Sequence, residues 1–369
     1  MNATFWPLFA ASLIAAAPDA AGPVPIAPGL NVKEPQIAVD GAGRAHIAFG
    51  IENAIYQVVS ADGGKSFSAP VRVGSVQALA LGMRRGPRIA ATGDSVIIAA
   101  IGGESGGGRD GDLLVWRSGD RGANWTGPQK ANSVSGSARE GLHALAAGPD
   151  GRVACVWLDL REKGTTLYGA ISQDGGATWG KDKLVYRSPD QTICECCHPS
   201  AAYGLDGRLR LMWRNQIEGN RDLFLTESNS DGAMFDPARK LGQGSWPLDA
   251  CPMDGGALAV GPQGEVATVW RRADRVYAAA PEKPERELGR GLNPWAAYGP
   301  NGLYAVWLER KNGRLLALLP SSSKPVVLAE EATDPVVASG PGGAAPVLAA
   351  WQGPRKSAGG FALRLDLAP

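Results

Sequence analysis

The octapeptide Ser172-Gln-Asp174-Gly-Gly176-Ala-Thr178-Trp179 decides the fold, because the chain writes it more than once. Ser60-Ala-Asp62-Gly-Gly64-Lys-Ser66-Phe67 fits the same pattern, Ser-x-Asp-x-Gly-x-Ser/Thr-Trp/Phe, without exception. Ser118-Gly-Asp120-Arg-Gly122-Ala-Asn124-Trp125 departs only in carrying Asn for Ser/Thr, and Ser228-Asn-Ser230-Asp231-Gly232-Ala-Met234-Phe235 is a degraded copy. The copies start 58, 54 and 56 residues apart, and so regular a spacing marks a repeat architecture. The residue types are those of a tight turn. Ser and Asp side chains bond nearby backbone groups, Gly takes a conformation closed to other residues, and the aromatic anchors the hairpin.

A second motif interleaves with the first. Ala144-Leu-Ala leads through Asp150-Gly151 to Val156-Trp157, Ser200-Ala-Ala through Asp206-Gly207 to Met212-Trp213, and Ala257-Leu-Ala through Gln263-Gly264 to Val269-Trp270. Related stretches begin at Pro35, Pro87, Pro294 and Pro335. Each reads as strand, turn, strand. A third strand follows, such as Leu167 to Ser172, then the octapeptide turn and a fourth strand. Four antiparallel strands per repeat make a propeller blade. The octapeptide resembles the Asp box, or BNR repeat, of the sialidase superfamily, over nearly the whole chain. The expectation is an all-β propeller of seven four-stranded blades. Six, the count in sialidases themselves, is the alternative, because the later units lack the box. Phe361 to Leu367 would be the last third strand, and Val24 to Leu30 would close the ring as its partner.

Composition narrows the function. Net charge is +1 over 369 residues, with no basic stripe, which excludes a nucleic-acid binder. The 50 glycines and 27 prolines recur at intervals, as turns between short strands do. Phe5 to Ala17 is apolar and is followed by Pro18, Asp19 and Ala20, although no Lys or Arg precedes Lys33. The stretch is too short to span a bilayer. Residues 1–22 are expected to be a signal peptide and 23–369 a single exported domain, periplasmic or extracellular, with no membrane span once the signal is removed.

The repeat also sorts the loops. Octapeptide turns and strand-one-to-two turns share one face, and loops entering strand one lie on the other. The resemblance implies a ligand site on that second face, over the channel, and a structural role for Ser60, Asp62, Gly64, Phe67, Ser118, Asp120, Gly122, Trp125, Ser172, Asp174, Gly176 and Trp179. It also implies three arginines gripping a carboxylate, for which Arg85, Arg88 and Arg139 are the candidates, with a Tyr–Glu nucleophile pair and an Asp acid/base. No Tyr–Glu pair is visible. The candidate ligand-binding set is Arg85, Arg88, Arg139, Glu140, His143 and Asp254, facing a small molecule, a glycan or a protein.

Cysteines supply the other constellation. Aligning the Trp213 and Trp270 units, 57 residues apart, sets Cys194 against Cys251 and Cys196 against Met253 on adjacent blades. One reading is a disulfide from Cys194 or Cys196 to Cys251, as export favours. The other is a Cu or Zn site drawn from Cys194, Cys196, Cys197, His198, Cys251 and Met253, all soft or borderline ligands. A thiol nucleophile with His143 or His198 as base is a third. Cys155, within Val153-Ala-Cys-Val-Trp157, reads as core. The leading expectation is a binding or scaffold propeller. The alternatives are a sialidase-type glycoside hydrolase acting on an acidic sugar and a periplasmic metal-binding protein.

Overall fold

The computed structural model describes residues 22–229, 232, 234–354 and 359–367. All but the last residue of the expected signal peptide lies outside that range. Among the described residues seven antiparallel sheets are formed, each with a four-stranded ladder. Their innermost strands are Lys33–Val39, Arg88–Thr92, His143–Ala147, Ser200–Tyr203, Ala257–Val260, Leu292–Gly299 and Thr333–Gly340. Each packs against the next in a closed ring, so the blade number is seven, not six. Blade 2 carries one additional short strand, Ala78–Leu79, on the edge beside its second strand.

Blade 3 shows why these sequences make these strands. Val153–Asp159 lies between His143–Ala147 and Thr166–Ser172, with Cys155 opposite Leu145 on one side and Ala170 on the other. Blades stack against both of its faces, so it is buried throughout and reads as a continuous apolar run rather than an alternation. The outermost strand, Lys183–Tyr186, has water on one edge and is half-exposed. The tryptophan recurring near the end of second strands fills the wedge between blades. Trp157, Trp213, Trp307 and Trp351 are completely enclosed, and Trp213 packs on Tyr186 with ring centroids 4.6 Å apart.

The ring closes with strands from both ends of the chain. Blade 7 takes Thr333–Gly340, Ala344–Gln352 and Gly360–Arg364, and its fourth strand is Val24–Pro25, with Val24 opposite Ala362 and Pro25 opposite Phe361. That strand is shorter than the expected 24–30. The chain turns after Ala27, where the Leu30 amide donates to Ala27 O at 3.2 Å and Gly29 adopts φ 78°. Ile26, Ala27 and Val32 nevertheless bury fully in the core of blades 7 and 1.

The Asp boxes prove to be clips between blades. Ser172 Oγ donates to Asp174 Oδ1 at 2.7 Å and accepts the Gly176 amide at 2.8 Å. Asp174 in turn accepts the Thr178 amide and hydroxyl at 2.8 and 2.6 Å. Asn124 replaces Thr in the second copy without loss, because its side-chain amide donates to Asp120 Oδ2 at 2.7 Å. The box glycine lies against the preceding blade. A Cβ on Gly176 would fall 2.8 Å from Ile97 of blade 2, and one on Gly64 would fall 2.3 Å from Leu348 of blade 7. Both also have left-handed φ, at 81° and 90°, so two independent constraints select glycine.

Candidate functional site

The channel's two ends differ. Toward the Asp-box face it is an open cavity of 480 Å³, walled by small apolar residues with Tyr203 and Tyr298 among them. At the other end the first residues of the inner strands and the loops before them turn polar side chains inward. Glu34, Arg84, Arg88, His143, His198 and Asp254 are all buried there.

This polar belt is held together mainly through the backbone. Glu34 accepts three amides of the next blade's entry loop, from Gly82 at 2.7 Å, Arg85 at 2.9 Å and Gly86 at 2.9 Å. Arg84 Nη1 donates to Pro335 O at 3.3 Å, and its guanidinium lies 4.9 Å over the Trp295 ring. Arg88 donates to the carbonyls of Gly86, Pro87 and Arg84. His143 Nε2 lies 3.1 Å from Ala99 O, and His198 Nε2 lies 3.0 Å from Gly256 O, while the His198 ring stacks on Trp295. Asp254 Oδ2 accepts the Asn293 amide at 2.7 Å. Burial pulls the His143 pKa down to about 3 and that of His198 well below its usual value. Burial, reinforced by Asp334, raises that of Glu34. Arg88, His143, His198 and Asp254 therefore sit inside the molecule rather than at an open channel mouth. The side chains at this end are tied chiefly to backbone amides and carbonyls rather than to one another.

The remaining ligand candidates come together off the axis. Arg85, Arg139 and Glu140 line a 360 Å³ pocket with Met83, Asp110 and the glycines 106–108. Arg85 Nε donates to Glu140 O at 2.7 Å, which sets the guanidinium against the loop entering blade 3. Among the described residues neither Arg85 nor Arg139 forms an ion pair with a carboxylate within 4.0 Å. Burial raises the Glu140 pKa, against the pull of Arg85. The carboxylate of Asp110 accepts the amides of Glu104, Ser105 and Gly106 at 2.8, 2.9 and 2.7 Å, which closes the glycine loop. Arg85, Arg88 and Arg139 thus do not form a triad, because the Arg88 side chain is buried and committed to carbonyls.

Three of the five cysteines form a compact group. Cys194 Sγ lies 3.6 Å from Cys196 Sγ and 3.3 Å from Cys197 Sγ, and the last two are 4.0 Å apart. All three are buried. The loop is tied down where the Cys194 amide donates to Arg214 O at 3.1 Å and Ile193 bridges Asn215. The Asp254 amide donates to Cys197 Sγ at 3.4 Å. Sulfur contacts with Cys196 and Cys197, aided by the charges of Arg214 and Arg221, hold the Cys194 pKa far below that of an ordinary thiol, while those of Cys196 and Cys197 are raised. Cys251 is exposed and outside the trio, the Met253 side chain is partly exposed, and Cys155 is enclosed in its strand. Sequence alignment of blades 4 and 5 did bring neighbouring loops together, but through the Asp254 amide rather than a second thiol. Arg214 and Arg221, which flank the trio, carry no motif that a sequence could reveal.

No family model matches the chain, and no curated protein matches it either. Solved structures do. The Penicillium chrysogenum alpha-L-arabinanase complexed with arabinobiose aligns over 94% of this chain and 98% of its own, at 14% identity and a TM-score of 0.54. Streptogramin B lyase aligns over 93% and 97%, at 12% identity and a TM-score of 0.54. A Hadza microbial sialidase aligns over 89% and 74%, at 12% identity and a TM-score of 0.51. At such identities the likeness is one of fold, and the chain shares the β-propeller with glycoside hydrolases and a lyase without sharing their sequences.

Proposed function

We propose that this chain is an exported Asp-box propeller of the sialidase superfamily that binds a small anion, such as the carboxylate of an acidic sugar. The site is the pocket of Arg85, Arg139 and Glu140. The observation that carries the reading is that two guanidiniums line one pocket and, among the described residues, neither has a carboxylate within 4.0 Å. A planar guanidinium grips a carboxylate in a bidentate way, and a second one fixes its orientation. The repeat and the propeller neighbours support the superfamily.

Hydrolysis is the second reading, favoured by the raised pKa of Glu140, as a proton donor requires. Two features argue for binding instead. The oxygens of Asp110 are taken by three amides, and among the described residues no tyrosine lines the pocket. Titration calorimetry with N-acetylneuraminic acid and galacturonic acid, and with arabinobiose as a neutral control, tests the reading. An acidic sugar is expected to bind, and R85A and R139A should each weaken it about 10-fold or more, since charge-assisted bonds contribute about 1.5–3 kcal/mol. Equal binding by the neutral disaccharide, or by R139A, would sink the proposal. Release of a chromogenic leaving group that E140Q abolishes would establish the second reading in its place.

A further inference from the structure

We propose that Cys194, Cys196 and Cys197 form a three-coordinate thiolate site for a soft monovalent cation of the Cu(I) type. The geometry is that of a chelate rather than of a packed core. The three separations place one point about 2.1 Å from every Sγ, slightly inside the roughly 2.3 Å of a metal–thiolate bond. A small outward relaxation of the loop therefore suffices. Two blades supply this loop and its supports, and neighbouring backbone is already organised around sulfur. The Asp254 amide, on the loop entering the next blade, donates to Cys197 Sγ at 3.4 Å. Such outer donors orient thiolate ligands.

Coordination number and charge select the ion. Among the described residues no His, Asp or Glu ligand atom joins the three sulfurs within metal-binding range. His198, the nearest candidate in sequence, is turned to Gly256 O and Trp295. Zinc takes four ligands in structural sites, whereas a soft monovalent ion is satisfied by three thiolates. Three thiolates and one monovalent cation carry a net charge of −2, which the guanidiniums of Arg214 and Arg221 beside the trio neutralise. Burial of the group is then electrostatically balanced. Binding forms three S–metal bonds and releases to solvent whatever S–H protons remain, with no change in oxidation state. Cys196, 8% exposed, is the least buried of the three cysteines and marks the point of entry.

The test is anaerobic titration of the full, reduced chain with Cu(I) held in competition with bicinchoninate, together with a count of reactive thiols. The expected result is one equivalent bound against the chelator, with three thiols protected from modification. C194S, C196S and C197S should each lose at least 100-fold in affinity, while C251S should bind as the parent does. Circular dichroism confirms that each variant folds. C196S is the least buried change and keeps the test interpretable if the others misfold. No transfer from the chelator, unchanged binding by folded C196S, or loss of binding in C251S would overturn the site. So would preferential retention of Zn(II), or a Cys194–Cys197 disulfide re-forming in the presence of the ion.

Discussion

Glu34 is the residue on which the candidate pocket hangs, and E34Q measures it. The carboxylate accepts three amides of residues 82–86, the loop that carries Arg85, through two oxygens. Oε2 takes Gly82 and Gly86, and Oε1 takes Arg85. Glutamine keeps the shape but can place an oxygen on only one side. Its NH2 then faces an amide donor, so one charge-assisted bond of about 1.5–3 kcal/mol is lost and one buried donor is left unsatisfied at about 1–3 kcal/mol. Replacing a carboxylate in a desolvated site returns part of this, leaving an expected loss of about 2–5 kcal/mol. That is a large share of the roughly 5–15 kcal/mol available to a folded domain.

The assay is urea denaturation at neutral pH, read as a lower midpoint at unchanged slope. The dependence on pH supplies a second check. Because the folded pKa of Glu34 is raised, its carboxyl protonates in the folded state as the medium is acidified. The folded state therefore takes up this proton before the unfolded state does, wild type gains stability on acidification where E34Q cannot, and the gap between them should widen toward acid. A loss under about 1 kcal/mol at neutral pH, or a gap that narrows on acidification, would refute the reasoning.

Acid lability should begin near the ordinary histidine pKa. All three histidines are buried with depressed pKa values, that of His143 at about 3. Each is neutral when folded and takes a proton on unfolding below about 6.5, so stability is full above that pH and falls as pH drops. The slope is about 1.4 kcal/mol per pH unit for each histidine. The raised Glu34 and Asp334 oppose this only nearer their own range. Denaturation midpoints between pH 7.5 and 5 that stay flat would contradict it. Ring closure gives a further expectation. Ile26 lies near the chain start, yet it is enclosed in the core of blades 7 and 1, and its amide donates to Gly360 O at 3.0 Å. I26A should cost about 2–5 kcal/mol by chemical denaturation. A change under about 1 kcal/mol would mean that the N-terminal strand does not close the ring.

The sequence determined what is local and periodic. The Asp-box turns were legible because Ser172, Asp174 and Thr178 bond one another and the backbone within seven residues, a chemistry that needs no distant partner. Blade number followed from the recurrence of strand, turn and Trp, and the closing strand from the last blade's lack of a fourth. What each loop residue does was decided only by the tertiary structure. Arg84, Arg85 and Arg88 are indistinguishable as letters, yet one stacks on Trp295 of blade 6, one lines the pocket and one is spent on its own loop's carbonyls. That partition depends on how closely the inner strands converge, a property of ring closure that no single repeat encodes. The cysteines divide in the same way. Spacing brought Cys194, Cys196 and Cys197 into one loop, but only folding showed Cys251 facing outward and Arg214 and Arg221 beside the sulfurs, because the path between neighbouring blades places those side chains.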